Sequence, residues 1–574
     1  MEKKTIIAIV LCIAVWLLWS ALFVEPPKKR PVGQPTDGGV AVAHKDGTDT
    51  TKKDPDAEKD PDAEKDPEKE PPDERPDEQL ARIKTAQFEA EWSTRGASLK
   101  AFRLNNYTDR TEQGKKGKRQ KENLVSTEKE ESRPFTIRFR AEKTDFKWPR
   151  YTDWTLVDQA KDRIVFRFTD PEDDKTPVIT KTYKLSDKKY LFDLKVELQN
   201  RSESSVTEQI ILDTFAEYEH VESSGCMGAP RVPRSPACLV NEELLEVDPT
   251  PGTGRTGEPA VMWTGINEQY FLVAAVAMGV EKAVCEIEAG HKGVLTASLM
   301  YPEVVIPPGG SAVHEYRLFA GPKRLNLLEG VRGGVGGAEQ DAKLDESVDF
   351  GWLGFLCHPM LWLLKEFFGL VGNYGIAIVF LTIVIKILLL PLTQKSMKSM
   401  KEMAKLKPMM DALKKKYGDD KQRLNQEMMA LYKSHKINPM GGCFPLLLQM
   451  PIWIALYRML YSAVELYQTP FIPGWIDDMS YRDPYYIMPI VMGLSMFLQQ
   501  RLSPTSADTQ QAKMMLYAMP VFFTFIMLYL PSGLVLYIFV NSILSIAHQL
   551  IYNKMTDKMP PGTDAKAKEA QAKT

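Results

Sequence analysis

Hydrophobic and polar positions along the chain change their spacing several times, and each change marks a different kind of element. Thr5 to Val24 are twenty residues without a charge, enough for a helix to cross a hydrocarbon layer of about 30 Å. No small-residue cleavage site follows closely. Ala41-Val42-Ala43 lies too far downstream, and Ile9-Val10-Leu11-Cys12 lacks the small residue that a lipoprotein signal carries before its cysteine. An uncleaved anchor is therefore expected over residues 1–24, with Trp16 and Trp19 suited to the interface. Residues 25–80 contain the tandem DPDAEKDPDAEKDPEK (Asp54 to Lys69) and almost no large apolar residue. Such a segment cannot bury a core, so a disordered, charged linker is expected.

Over residues 81–335 the period becomes two. Phe135, Ile137 and Phe139 alternate with Thr136, Arg138 and Arg140; Phe192, Leu194, Val196 and Leu198 alternate with Asp193, Lys195 and Glu197. Runs such as RIVFRF, EQIILDTF, QYFLVAAVAM and EYRLFAGPK, punctuated by Gly, Pro and Asp, complete the pattern of a large antiparallel β-sandwich. After Gly333, Gly334, Gly336 and Gly337, residues 345–370 are aromatic and apolar but broken by His358, Pro359, Lys365 and Glu366. They predict an amphipathic helix lying in the membrane interface.

Five apolar spans follow, at about 373–392, 443–462, 485–500, 514–530 and 533–552. The expected fold is thus an α-helical polytopic membrane protein, with an N-terminal anchor and a five-helix core (371–555), carrying a large β-sandwich. Charge fixes its orientation. Lys395 to Met440 hold twelve Lys/Arg against five Asp/Glu, whereas Ser462 to Pro484 hold one basic and four acidic residues. The first loop is expected inside, the second outside, the sandwich outside, and both termini, with the basic tail 556–574, inside. Lys28, Lys29 and Arg30 run against this assignment, but long domains translocate despite such charges. Within the inner loop, Met403, Leu406, Met410, Leu413 and Tyr417 recur at spacings of three and four, and Leu424, Met428 and Leu431 repeat them after YGDD. A helical hairpin over 395–440 is expected, with Pro408 kinking or restarting its first arm. Its eight methionines suit either a deformable binding surface or a plain core.

Composition adds little beyond this segregation. The chain has 574 residues, with 73 basic against 75 acidic, a balance that hides the charge separation between loops. Six cysteines form no CxxC pair and seven histidines are scattered, so no metal site and no cofactor is expected. Cys226 and Cys238 could close a short disulfide loop in an oxidising compartment; two free thiols are the alternative. No nucleophile elbow, HExxH or Walker A loop is present, and the chain is expected not to be an enzyme.

YGDDKQRLNQEMMALYKSHKINPMGGCFPLLLQMPIWIALYRML (Tyr417 to Leu460), DPYYIMPIVMG (Asp483 to Gly493) and PSGLVLYIFVNSILSIAHQ (Pro531 to Gln549) resemble the YidC membrane-protein insertase family of Gram-negative bacteria. The resemblance covers the whole plan from anchor to core. It implies a multi-pass inner-membrane protein whose periplasmic sandwich is similar to galactose-mutarotase folds without needing their catalysis. It implies a hydrophilic groove open to the cytoplasm and to lipid, working without nucleotide. Nascent membrane proteins, lipid, the Sec translocon, and a ribosome or signal recognition pathway at the cytoplasmic hairpin are the implied partners, and a monomer would suffice. The family's groove cation, usually arginine five residues before Pro-Leu-Thr, falls on Lys386, and a groove threonine on Thr382. Ile538 follows Tyr537 where relatives often have a second tyrosine.

Lys386 stands in VFLTIVIKILLLPLT, where a lysine costs about 2.5–3.5 kcal/mol at a helix centre on insertion scales. It could snorkel toward the cytoplasmic interface, about 10 Å of helix rise away. Side chains lean toward the helix N-terminus, however, which aims Lys386 back into the membrane beside Thr382 at i−4. The expected arrangement is a groove holding Lys386 and Thr382, with Phe444, Pro445, Phe525, Met527 and Tyr537 available to a client helix. A solute transporter would favour repeats and paired intramembrane charges, and a surface-polymer enzyme would need clustered catalytic residues in the sandwich. Neither pattern is found.

Overall fold

The computed structural model describes residues 75–109, 120–170, 175–218, 234–291, 293–334, 339–418, 420–435, 444–502 and 510–557. The expected anchor, nearly all of the linker and the tail beyond residue 557 lie outside them.

Strands run from Leu80–Lys84 to Gln340–Asp341. Nine form one sheet, in the order Glu243–Glu246, Ser235–Val240, Val261–Asn267, Phe271–Met278, Ser311–Pro322, Leu191–Gln199, Val178–Leu185, Arg163–Phe168 and Thr155–Gln159; every neighbouring pair is antiparallel. A five-stranded sheet (Thr253–Gly257, Val284–Ala289, Val294–Met300, Ile210–Glu217, Thr136–Phe139) packs on it, and a four-stranded sheet is built from Leu80–Lys84 to Lys121–Asn123. The alternation is realised: Phe192, Leu194, Val196 and Leu198 are buried, while Lys195 is exposed. In FLVAAVAM (Phe271–Met278) every residue but the last is buried, which is why this strand reads as a continuous apolar run. It is covered on both faces.

One covalent link differs from expectation. Cys238, in the nine-stranded sheet, bonds Cys285, in the five-stranded sheet, across a Cα separation of 6.6 Å. The pairing of Cys226 with Cys238 is therefore excluded, and Cys226 lies outside the described residues. Apposition of two sheets, rather than nearness in sequence, brings the sulfurs together.

Beyond the β-domain the helices are α1 (Gly354–Val371), α2 (Tyr374–Lys405), α3 (Lys407–Tyr417), α4 (Lys421–Ser434), α5 (Phe444–Ser462), α6 (Ile487–Leu502), α7 (Gln510–Met527) and α8 (Ser532–Asp557). The stretch Gly351–Val371, α2 and Ser532–Met555 of α8 are long and apolar enough to cross a membrane. In α1 Cys357, Met360, Leu361 and Leu364 are buried, whereas Phe355, Trp362 and Leu370 are at least 60% exposed. The two faces are those of an amphipathic helix, and its length is also that of a span.

The inner loop departs from the expected hairpin in one respect. Helix α2 continues through Pro391 to Lys405, so Met403 belongs to the span's extension and not to the hairpin. Pro391 removes one backbone donor, but the Lys, Met, Glu and Ala residues beyond it are strong helix formers. The break comes instead at Leu406, and Pro408 restarts the chain in the first turn of α3. Helices α3 and α4 then form the hairpin. Met410 is buried and its sulfur accepts from the Tyr432 hydroxyl at 3.7 Å; Leu406 is buried, and Leu413 and Tyr417 are half-buried.

The β-domain is tied to the helices through the end of α5 and the α5–α6 connection. Gln468 accepts from the Thr108 backbone N–H at 2.8 Å and donates to its carbonyl. Gln269 donates to the Tyr461 carbonyl at 3.0 Å, and Tyr107, Tyr270 and Phe271 pack on Tyr467. Helix α6 approaches α7 closely because Gly493 faces Thr524: a Cβ there would overlap the Thr524 hydroxyl. Small residues at such crossings let apolar helices pack by direct contact.

Candidate functional site

Helices α2, α5, α6 and α8 surround a cavity of ≈ 310 Å³. Its position follows from the sequence of α8, where Asn541, Ser545 and Gln549 recur every four residues and so share one face. That face turns to α2 and presents amide and hydroxyl groups to Lys386. The Lys386 Nζ donates to Asn541 Oδ1 at 3.2 Å and to Ser545 Oγ at 2.6 Å. Ser545 in turn donates to the Asn541 carbonyl at 2.7 Å. The lysine sits about 18 Å of helix rise below the start of α2, held sideways against α8.

Gln449 of α5 lines the same cavity and donates to the Tyr537 hydroxyl at 2.9 Å. Gln499 and Gln500 of α6 add further amides, while Trp453, Met496 and Ile538 form apolar wall. Lys401, on the extension of α2, marks the far end of the lining, its Nζ 5.3 Å from the Tyr552 ring. Among the described residues the lining holds two lysines and no carboxylate. The Trp453 indole N–H is buried there and finds no acceptor among them. Donors and positive charge therefore dominate, and the chemistry suits a carboxylate or a backbone carbonyl.

A second cavity, ≈ 240 Å³, lies on the neighbouring face of the α2–α8 contact. Lys386 and Thr393 line both. The rest of its lining is Ile383, Ile387, Leu390, Leu544, Ala547, Ile551 and His548. Lys386 thus stands on the partition between a polar space and an apolar one.

The sequence-predicted residues separate accordingly. Thr382 is 1% exposed and its hydroxyl donates to the Ile378 carbonyl at 2.6 Å, so it is absent from the lining and the structure does not bring it together with Lys386. Tyr537 is buried behind Gln449, and Met527 is buried in the core; neither lies on an outer surface. Phe525 is 47% exposed. The side chains of Phe444 and Pro445, which open α5, lie outside the described residues. Asn541, Ser545, Gln449 and Lys401 were not foreseen, although the four-residue polar spacing in α8 was legible.

A family model described as "YidC periplasmic domain" matches residues 80–363, and one described as "60Kd inner membrane protein" matches residues 366–559. The "Membrane protein insertase YidC" of Syntrophus aciditrophicus is 37% identical over 565 residues, covering 96% of this chain and 100% of the relative. The chain belongs to the YidC membrane protein insertase family. The YidC of Geobacter sulfurreducens is 35% identical, covering 96% of this chain and 98% of the relative. A solved structure titled as an active YidC insertase with its first transmembrane domain resolved has 17% identity and a TM-score of 0.36, covering 82% of this chain and 94% of its own. In YidC terms the all-β part described above is the periplasmic domain, and the helices belong to an inner-membrane protein.

Proposed function

We propose that the chain is a membrane-protein insertase whose polar cavity accepts the hydrophilic flank of a nascent membrane protein while the apolar segment passes to lipid. The observation that carries this reading is Lys386: a cation within a helix long enough to span, set among amides and hydroxyls in a cavity with no carboxylate among its described lining residues. A positive, donor-rich space inside the membrane lowers the barrier for an acidic or polar flank, which would otherwise cross hydrocarbon unsolvated.

No nucleotide is needed on energetic grounds. Strongly apolar client residues gain about 0.3–0.6 kcal/mol each in the bilayer, and an acidic tail moving outward gains about 2.3 kcal/mol per charge per 100 mV. The protein lowers a barrier rather than supplying free energy. In this reading the cavity opens to the cytoplasm and lipid, the periplasmic domain stands outside, and both termini are cytoplasmic. The exposed basic faces of α3 and α4 receive a ribosome or signal recognition pathway, and the core acts alone as a monomer or beside the Sec translocon. Phe525 offers an outward apolar surface to the client helix.

The test is photocrosslinking from Met496 and Ser542, which line the cavity, to ribosome-stalled nascent chains, with exposed Val305 of the periplasmic domain as the off-site control. Crosslinks from the two cavity positions and not from Val305 are expected. Their absence at both cavity positions sinks the reading.

A further inference from the structure

We infer that Asn541 and Ser545 are positioning residues that hold the Lys386 ammonium at the polar cavity and off the apolar cleft beside it; this rests on the insertase reading above. Lys386 belongs to the lining of both spaces, so its own torsions decide which one its charge serves. A lysine ends in a compact point charge on a flexible four-carbon stem, and nothing in the residue itself fixes that choice. Both of its side-chain acceptors come from α8, one turn apart, at 3.2 and 2.6 Å. The Ser545 hydroxyl spends its proton on the Asn541 carbonyl, which leaves only lone pairs for the lysine.

The pair does a second thing. An ammonium has three donors, and Asn541 and Ser545 take two. The third is left for an arriving carboxylate, which meets a charge already aimed. Without the two acceptors, Lys386 is free to lie in the cleft among Ile387, Leu390 and Ile551 and to snorkel toward the interface. The cavity then keeps its shape but loses its preference for acidic flanks.

The experiment reconstitutes the full chain in proteoliposomes with two clients that differ only in the translocated tail: one acidic, the other with Asn and Gln in place of the acids. The measured quantity is the ratio of their insertion rates, which a merely structural role would not move. The double variant Asn541→Leu/Ser545→Ala should lower the ratio about tenfold, the order of one hydrogen bond to a charged group, and Ser545→Thr should preserve it. Asn541→Asp should lower it as well, because a fixed carboxylate occupies the lysine; a structural role predicts that this stronger pairing is harmless. If the double variant fails to fold, Asn541→Asp decides, and a ratio equal to that of the unaltered chain overturns the proposal. Lys386→Gln runs alongside. If it lowers the ratio and the Asn541 and Ser545 variants do not, the positioning role fails alone; if Lys386→Gln itself has no effect, the charge-pairing reading fails with it.

Discussion

Reversing the charge at Lys386 separates an insertase that pairs charges from one that offers only a wet path. Glutamate fits the site without orphaning its neighbours: an amide flip turns Asn541 from acceptor to donor, and Ser545 can redirect its hydroxyl from the Asn541 carbonyl. Lys386→Glu should therefore fold, and its effect should report charge. At about 4 Å and an effective dielectric near 20, opposite unit charges attract by about 4 kcal/mol and like charges repel by as much. Desolvation of both groups and water along the cavity remove most of that swing. What a charged hydrogen bond retains is about 1.5–3 kcal/mol, so insertion of a client with an acidic tail should slow about ten- to hundredfold. A client whose tail acids are replaced by lysines should gain from the same substitution. The assay is protease protection of the two tails in proteoliposomes, alongside the melting temperature of each variant. Equal insertion of the acidic tail by the folded variant and the unaltered chain would refute charge pairing.

Three further predictions concern the fold around the site. Cys285→Ser removes a bond that closes a separation of 47 residues, so the periplasmic domain should lose up to about 4 kcal/mol in the chain-entropy account; urea unfolding with and without reductant measures it. Burial pulls Lys323 down to about 8 against the opposing pull of Glu246, Glu268 and Asp349. Between that value and the usual 10.5 the unfolded chain binds more protons, so the group's contribution to stability rises with pH across this window. The stability difference between the unaltered chain and Lys323→Met, by urea titration, should shift in favour of the former by at most about 3 kcal/mol from pH 7.5 to 10.5. Gly493→Ala should destabilise the α6–α7 crossing by about 1–3 kcal/mol, seen as a lower melting temperature in detergent, and Thr524→Ala should restore it because the overlap is with the Thr524 hydroxyl.

The sandwich was legible because each strand's burial is written in its own alternation: Phe192 to Leu198 need no distant residue to be assigned a face. Length and apolarity located two of the expected core spans, at α2 and in α8, while Gly351–Val371, expected to lie in the interface, is also long and apolar enough to cross. Features that depend on two elements meeting were not legible. Nothing near Cys238 marks Cys285 as its partner, since the apposition of the two sheets decides it. Thr382 sits at i−4 from Lys386, yet its hydroxyl is taken by the Ile378 carbonyl of its own helix, a competition that spacing does not reveal. The end of α2 was misplaced because the apolar run gives out near residue 392, while the helix formers beyond Pro391 carry the same helix on to Lys405.

The same distinction explains how the membrane tolerates Lys386. On an isolated helix a central lysine costs about 2.5–3.5 kcal/mol, and sequence alone offers snorkelling as the way to reduce that cost. In the folded protein the Nζ lies between Asn541 and Ser545, and two hydrogen bonds of the charged class, at about 1.5–3 kcal/mol each, are of a size to offset it. The cation can then stay at its level in the span without turning to the interface. On the proposed role, an arriving carboxylate would have only the last donor to satisfy and no buried charge to stabilise from the beginning, so the binding it gained would go to lowering the crossing barrier instead of ordering the site. Placement of Asn541 and Ser545 on one face of α8 is what converts an expensive residue into a usable one.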